Sequence, residues 1–422
     1  MRVVHINTFG EGGGAAVAAR RLHQTLPSVG VESTLLVQSR AHHSASVLDR
    51  GLVGRAWGLL RPRIDSLPNK LYSRRSPRLF SSGWVPSGSV SRLRDASADI
   101  LQLHWVALGA LRLESLLSWR KPVIWTLHDS WAFTGGCHVP GDCVRYRGLC
   151  GTCPALGSES RWDLAYVNQR RKRRVSALLR PAVVAPSRWL AECARAAEVF
   201  RMQTVRVIPN GVDEVLFRPI EKSWARDILG LPRDGIQALF IAAGGGSDPN
   251  KGFDLFCEAI AVMGARGAGS NVLPVFAGAP KLPADVPAEC GSFMVLGSIS
   301  DERVLGLAYS AADITVVPSR QENLANTVLE SLACGTPVAA FDIGGMPDMV
   351  EDGINGVLAK PYSAEHLASR MEWCLSDGER LKRMRDAARR TILDEFTLMR
   401  QARRYRELYE ELAADQPGRG ST

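Results

Sequence analysis

The chain has 422 residues, 45% hydrophobic and 23% charged, which excludes a disordered or fibrous protein and exceeds what one ordinary core organises, so two domains are expected. The net charge of +9 at neutral pH favours anionic partners such as nucleotides, phosphates or an anionic membrane surface. No run approaches ~18 uninterrupted apolar residues, and the opening MRVVHINTFGEGGG lacks the pattern of a secretory signal, so a cytoplasmic protein without a membrane span is expected.

In chain order, RVVHINTF (2–9) predicts a strand, GEGGGAA (10–16) a glycine loop, AAVAARRLHQTLPSVG a helix stopped by Gly30, and VESTLLVQS (31–39) a second strand. This β–loop–α–β start is the nucleus of a parallel sheet. Residues 50–90 read as irregular, basic and rich in Ser and Pro. Strands follow at ILQLHWV (100–106), PVIWTLHD (122–129), PAVVAPS (181–187) and within TVRVIPNGVD (204–213), with a helix from Arg188. A second β/α alternation begins at ALFIAAGGG (238–246). It continues through NVLPVFAG, FMVLGSI, ITVVPS, PVAAFDIGG and GVLAKP as strands, with helices between and after them. The reading is two successive parallel α/β domains, 1–215 and 216–395, then a long helix over 396–415 and a tail at 416–422. Ligands of open α/β sheets bind at the C-terminal ends of the strands.

Candidate residues gather at those ends. Gly13 and Gly14 sit in the first loop, where glycines let backbone N–H groups approach a phosphate; a tight turn is the plainer alternative. His128 and Asp129 end the strand TLHD, either as site residues or as a hydrogen-bonded core pair. Lys251 and Gly252 precede a helix in GGGSDPNKGFD, where an ammonium beside helix N–H groups suits a diphosphate. In QENLANTVLESLACGTPV (321–338), Glu322 ends a strand and Glu330 lies two turns further on, with Asn323 or Asn326 available to cap the helix. Carboxylates accept from neighbouring sugar hydroxyls, so a sugar, a diphosphate and a ribose meet an acid, a helix end and an acid. Interaction of the acids with the helix dipole explains Glu322 but explains Glu330 poorly.

Two features stand apart. The basic stretches 161–180 and 61–78 form solvated faces or contact anionic lipid or a phosphorylated acceptor; without interleaved aromatics, nucleic acid is not expected. The segment 130–157 crowds Cys137, Cys143, Cys150 and Cys153, with His138 as a substitute ligand. In a reducing compartment four close thiols predict a structural zinc site, ahead of disulfides, free thiols or an iron–sulfur cluster.

The motifs ENLANTVLESLACGTPV, GGMPDMVEDGINGVL (344–358), VIPNGVDEVLFRP (207–219), DPNKGFD, VVAPSRWL and LHDSWAFTGGCH resemble those of retaining glycosyltransferases of family 4. The resemblance implies the GT-B fold: α/β, two Rossmann-like domains facing an interdomain cleft, with the acceptor on the first domain, the nucleotide-sugar donor on the second and the last helix packing back on the first. It implies that Glu322 holds donor-sugar hydroxyls, Glu330 the ribose, and Asn323, Leu324, Ala325 and Asn326 present backbone to sugar and diphosphate. Lys251 neutralises the diphosphate, Gly13 and Gly14 face it from the first domain, and His128 assists transfer beside the sugar. Hexose passes to a hydroxyl acceptor, lipid-linked or membrane-proximal, in polysaccharide, glycolipid or glycoconjugate synthesis, without a catalytic metal. Two departures are visible. Gly245 stands where many relatives have an arginine, and Asn323, Leu324 and Ala325 replace a glycine–aromatic–glycine. A nucleotide-sugar epimerase and an inactive sugar-nucleotide-binding partner are the alternatives.

Overall fold

The computed structural model describes residues 1–39, 45–47, 52–86, 98–242, 245–267, 272–283, 286 and 290–415; the expected tail, Ala243 and Gly244 lie outside them. Two compact units emerge, one from Met1–Pro209 together with the chain from Gln401 onward, the other from Asn210–Arg400. The boundary expected near 215 moves to 209 for a backbone reason. Val212 pairs with Thr397, its N–H donating to Phe396 O at 2.8 Å, so residues 210–215 are tied to the second unit.

The first unit is built on strands β1 (Arg2–Phe9), β2 (Glu32–Ser39), β3 (Ala45–Val47), β4 (Ile100–Leu103), β5 (Val123–Thr126), β6 (Ala182–Ala185) and β7 (Val205–Val207), in the order 3-2-1-4-5-6-7. Every pairing is parallel. β4 and β5 are buried along their whole length, as befits central strands covered on both faces. The helices are α1 (Gly14–Thr25), α2 (Leu52–Asp65), α3 (Leu164–Leu179) and α4 (Arg188–Ala196).

Two helices here depart from the sequence reading. α2 lies in the stretch read as irregular, because Pro62 and two glycines weaken its helical signal. Its end is fixed from outside the helix: the Asp65 carboxylate accepts from the N–H groups of Ser82, Gly83 and Trp84 at 2.8–3.2 Å. The basic run 161–180 holds α3, capped by Asp163 accepting from Tyr166 N, and not all of it is solvated. Lys172 is buried, donating to Trp131 O and Thr134 O with its ammonium 3.9 Å from the Trp131 ring centre. Burial pulls that ammonium down to about 7. Arg171 makes a two-pronged contact with Glu114 at 2.7 and 2.8 Å.

The second unit is a parallel sheet of β8 (Ile236–Ile241), β9 (Val272–Ala277), β10 (Met294–Gly297), β11 (Ile314–Val317), β12 (Val338–Phe341) and β13 (Gly356–Ala359), ordered 10-9-8-11-12-13. Around it run α5 (Lys222–Leu229), α6 (Phe253–Ala265), α7 (Glu302–Ala311), α8 (Asn326–Ala333), α9 (Ala364–Leu375) and α10 (Gly378–Glu395). One apolar cluster joins α7, α8, β12 and α10; another joins α6, β8, β9 and α9 around stacked phenylalanines 240, 256 and 276.

α11 (Leu398–Ala414) sends Tyr405 and Tyr409, both buried, onto the first sheet. Tyr405 OH is 3.0 Å from Thr126 Oγ1 on β5, and Tyr409 OH donates to Gln102 Oε1 on β4. A Tyr405→Ala variant should lose about 3–5 kcal/mol, the cost of truncating a fully buried aromatic, measured by urea unfolding of the whole chain; a loss under ~1 kcal/mol would mean that the helix does not anchor there.

Candidate active site

In the second unit, three loops at the C-terminal end of the sheet, after β8, β11 and β12, are pressed together backbone to backbone. Gly252 has φ 71°, and a Cβ there would meet Pro318 O at 1.9 Å; Gly344 has φ 53°, and a Cβ there would meet Glu322 O at 2.0 Å. Only glycine fits either position. The loops are then stitched by Arg320 N donating to Asn250 O (2.7 Å), Asn250 Nδ2 to Gln321 O (2.8 Å) and Gly345 N to Glu322 O (3.2 Å).

This packing brings Lys251 and Glu322, 71 residues apart in sequence, into a salt bridge: Nζ to Oε1 is 2.5 Å. Ser319 Oγ donates to the same oxygen at 3.1 Å. The Glu322 charge holds the Lys251 ammonium above its ordinary value against the opposing pull of burial. An ammonium carries three N–H groups, so one contact with Glu322 leaves donors for an anion. Arg320 forks onto Asp254 at 2.9 and 2.5 Å beside the same loops.

α8 begins at Asn326, with Ala325 as its N-cap residue. Leu324 and Ala325 are buried in the apolar cluster and hold the loop from beneath. Glu330 therefore sits only one turn into the helix. It is buried, and Tyr309 OH donates to its Oε2 at 3.0 Å.

In the first unit Gly13, at φ 80° and ψ 155°, is the N-cap of α1, and Gly14 is its first residue. His128 follows β5. Its Nε2 lies 3.0 Å from His104 Nδ1, and His104 Nε2 lies 3.0 Å from His5 Nδ1. Asp129 accepts from Trp105 Nε1 (2.5 Å), His138 Nδ1 (2.6 Å) and Trp131 N (2.8 Å). Burial alone would raise its carboxyl; His138 and the donors around it bring it below the ordinary value. His138 Nε2 in turn meets Ser81 Oγ at 2.9 Å. Ser81 is fully buried, so this Ser–His–Asp line braces the 129–138 loop and does not present a nucleophile.

The four crowded cysteines lie in the first unit. Among the described residues no group of three or more His, Cys, Asp or Glu is placed to hold a metal ion. None of the four cysteines of the segment is in a disulfide. Cys150 and Cys153 pack as apolar groups in the core around Phe133, Tyr146 and Leu156, with Cys137 against its edge. Burial pushes Cys137 and Cys150 up to about 12, and the neighbouring thiols of Cys143 and Cys153 add to the rise.

The structure thus joins Lys251 to Glu322 and places Glu330 at the same end of the sheet, while His128, Gly13 and Gly14 belong to the other unit. Sequence reasoning passed over Ser319, Tyr309, His5 and His104. The last two carried a signal: VVHINT, LQLHWV and TLHDSW each put a histidine on a strand or just past its end.

Comparison with known proteins follows the same division. Residues 12–215 match the model described as Glycosyltransferase Family 4, and residues 230–391 the model described as Glycosyl transferases group 1. The D-inositol 3-phosphate glycosyltransferase of Thermobispora bispora is 35% identical over 221 residues, covering 50% of this chain and 51% of that protein. Its counterpart in Acidothermus cellulolyticus is 33% identical over 197 residues, 43% of each. The chain therefore spans about half the length of the curated relatives it matches. Among solved structures, sucrose-phosphate synthase from Thermosynechococcus elongatus superposes with a TM-score of 0.68 at 18% identity, covering 98% of this chain and all of that one. The Anabaena protein HepE, solved with UDP-glucose, gives 0.65 at 16% identity over 97% of this chain and all of that one. At such identities the likeness establishes the fold, the two-domain α/β GT-B fold.

Burial in the first unit lowers His5 to about 3 and His128 to about 4, from 6.5 for a free imidazole. The unfolded chain gains these protons as pH falls through 6.5, whereas the folded chain gains them only near 4 and 3. Stability is therefore full above pH 6.5 and drops as pH falls from there to about 4. Denaturant midpoints measured at pH 7.5 and 4.5 should show that drop, and a His5→Gln variant, neutral at both, should show a smaller one. Equal midpoints at the two pH values would contradict the burial of neutral imidazoles.

Proposed function

The chain belongs to the group 1, family 4 glycosyltransferases, and from that we propose that it moves a hexose from a nucleotide-diphosphate sugar to a hydroxyl acceptor, with retention at the anomeric carbon. The observation that carries this reading is the Lys251–Glu322 bridge beside the start of α8. Breaking an anomeric C–O bond to a diphosphate leaves an extra negative charge on the leaving phosphate. A fixed ammonium and helix N–H groups, already oriented, stabilise that charge without reorganising. The Glu322 carboxylate accepts from sugar hydroxyls and releases part of its hold on Lys251 as the diphosphate arrives. Glu330, steadied by Tyr309, accepts from the ribose. Same-face attack, with the acceptor's proton passing to the leaving phosphate, gives retention without an enzyme nucleophile.

A structure related in fold was solved with UDP-glucose, which supports a uridine nucleotide as the first donor to try. The acceptor is anionic in this reading. The curated relatives are named for a phosphorylated inositol, and the chain carries a +9 charge. On and after α2, Leu59, Leu60 and Leu71 are exposed, as are Lys70, Arg74 and Arg75. Apolar side chains flanked by cations suit the surface of an anionic membrane, which supports a lipid-linked acceptor.

The test is a panel of nucleotide sugars scored for slow donor hydrolysis and for thermal shift. One donor should be turned over, and Glu322→Ala should cut its turnover by about 10²–10³, the scale of losing a group that acts on developing charge, with the fold intact by circular dichroism. Lys251→Ala should weaken nucleoside-diphosphate binding by about 10–100-fold, the worth of a charged hydrogen bond, and leave nucleoside binding nearly unchanged. Wild-type rates in the first variant, or equal losses for nucleoside and diphosphate in the second, would remove these residues from the donor site.

A further inference from the structure

Three histidines form a continuous line across the middle of the first sheet. Parallel pairing sets His5 opposite Gln102, and Gln102 opposite Ile124. His104 lies two residues beyond Gln102, and His128 lies two residues beyond Thr126, the next same-face position after Ile124. Steps of two keep all three side chains on one face, so the imidazoles climb diagonally over β1, β4 and β5 towards the C-terminal end. Both nitrogen–nitrogen separations are 3.0 Å, and successive ring centres are 5.3 Å apart. His5 is fully buried and His104 is 3% exposed.

A neutral imidazole has one N–H and one bare nitrogen. His104 uses both of its nitrogens in the line, so its tautomer dictates the direction of both bonds. In one direction His5 Nδ1–H donates to His104 Nε2, and His104 Nδ1–H donates to His128 Nε2. The proton of His128 is then on Nδ1. In the other direction every bond reverses, and the line ends on a protonated Nε2 of His5. That nitrogen is buried and has no partner among the described residues. A buried N–H without an acceptor costs more than a bare lone pair, so the first direction is the stable one.

We propose that His104 and His5 are positioning residues that fix His128 as its neutral Nδ1–H tautomer, a hydrogen-bond donor at the end of β5. The inference rests on the reading of His128 as a group beside the donor sugar: an Nδ1–H suits a hydroxyl or phosphate oxygen, and a bare Nδ1 does not. The groups around the line bear on its charge. His23, itself 2.7 Å from Ser33 Oγ, faces His5 and opposes a proton there, whereas Asp129, next to His128, favours one. Burial outweighs Asp129, and His128 stays neutral at physiological pH. A transferable proton is thus kept off the ring, consistent with the leaving phosphate taking the acceptor's proton.

The test is long-range proton–nitrogen NMR of the whole chain labelled with ¹⁵N-histidine, assigned by single His→Gln variants. The expected wild-type result is a protonated Nδ1 and a bare Nε2 on His128, unchanged from pH 8 to 5. In His104→Phe, which lacks the donor, His128 should become a mixture of tautomers and titrate at higher pH. Its kcat for the accepted donor should fall about tenfold, the worth of one neutral hydrogen bond, with KM little changed. His104→Gln, whose amide N–H still donates, should recover most of that. A wild-type His128 protonated on Nε2, or cationic at pH 7, overturns the proposal, as does a folded His104→Phe with an unaltered His128 spectrum and pH profile. Should His104→Phe fail to fold, the wild-type spectrum decides alone. Absence of turnover with every donor would count against the transferase reading and leave the tautomer result standing.

Discussion

The contact on which the second unit's chemistry turns is a salt bridge between residues far apart in sequence, Lys251 and Glu322. Neither long side chain would hold the other at a free surface, where such pairs contribute about 0–1 kcal/mol. Here the backbone does the holding. Two glycines let three loops approach to distances that no Cβ permits, and three further hydrogen bonds fix the approach. The bridge is therefore set before any ligand arrives. A preset cation is what a leaving diphosphate requires, because reorganising it during the reaction would cost much of what it contributes.

The two units handle charge in opposite ways. The second keeps a half-exposed ion pair beside a helix start, where an anion can exchange for the carboxylate. The first buries its titratable groups as neutral rings and thiols: three imidazoles in line, and cysteines absorbed into an apolar cluster. Asp129 is one of the exceptions, and its negative charge is met by donors from Trp105, Trp131 and His138. Desolvation favours neutral forms wherever no partner compensates.

Much of this was legible in the sequence because alternating β/α signals and glycine turns are local. Among the described residues, every strand but the short β3 falls on a segment read as a strand. Lys251, Glu322 and His128 each stood next to a strand or helix end, where chain order alone marks a site. What was not legible depended on partners distant in the chain. Helix α2 is completed by Asp65 binding backbone at 82–84. The basic run on α3 looked solvated, but Trp131 and Glu114 take up two of its cations. The cysteine spacing suggested a metal cage, but the packing of Cys150 and Cys153 in the core around Phe133, Tyr146 and Leu156 is set by partners elsewhere in the chain. The relay of His5 and His104 needed the strand order 1-4-5, which periodicity does not give.

The most direct measurement is a double-mutant cycle on donor affinity, with Lys251→Gln, Glu322→Gln and the double variant titrated by calorimetry against a nucleoside diphosphate and its hexose ester. The account predicts that Glu322→Gln weakens the ester selectively, that Lys251→Gln weakens both ligands, and that the two losses for the ester are not additive, as expected for side chains in contact. Additive losses, or an ester bound equally by all four proteins, would mean that the pair does not grip the donor together.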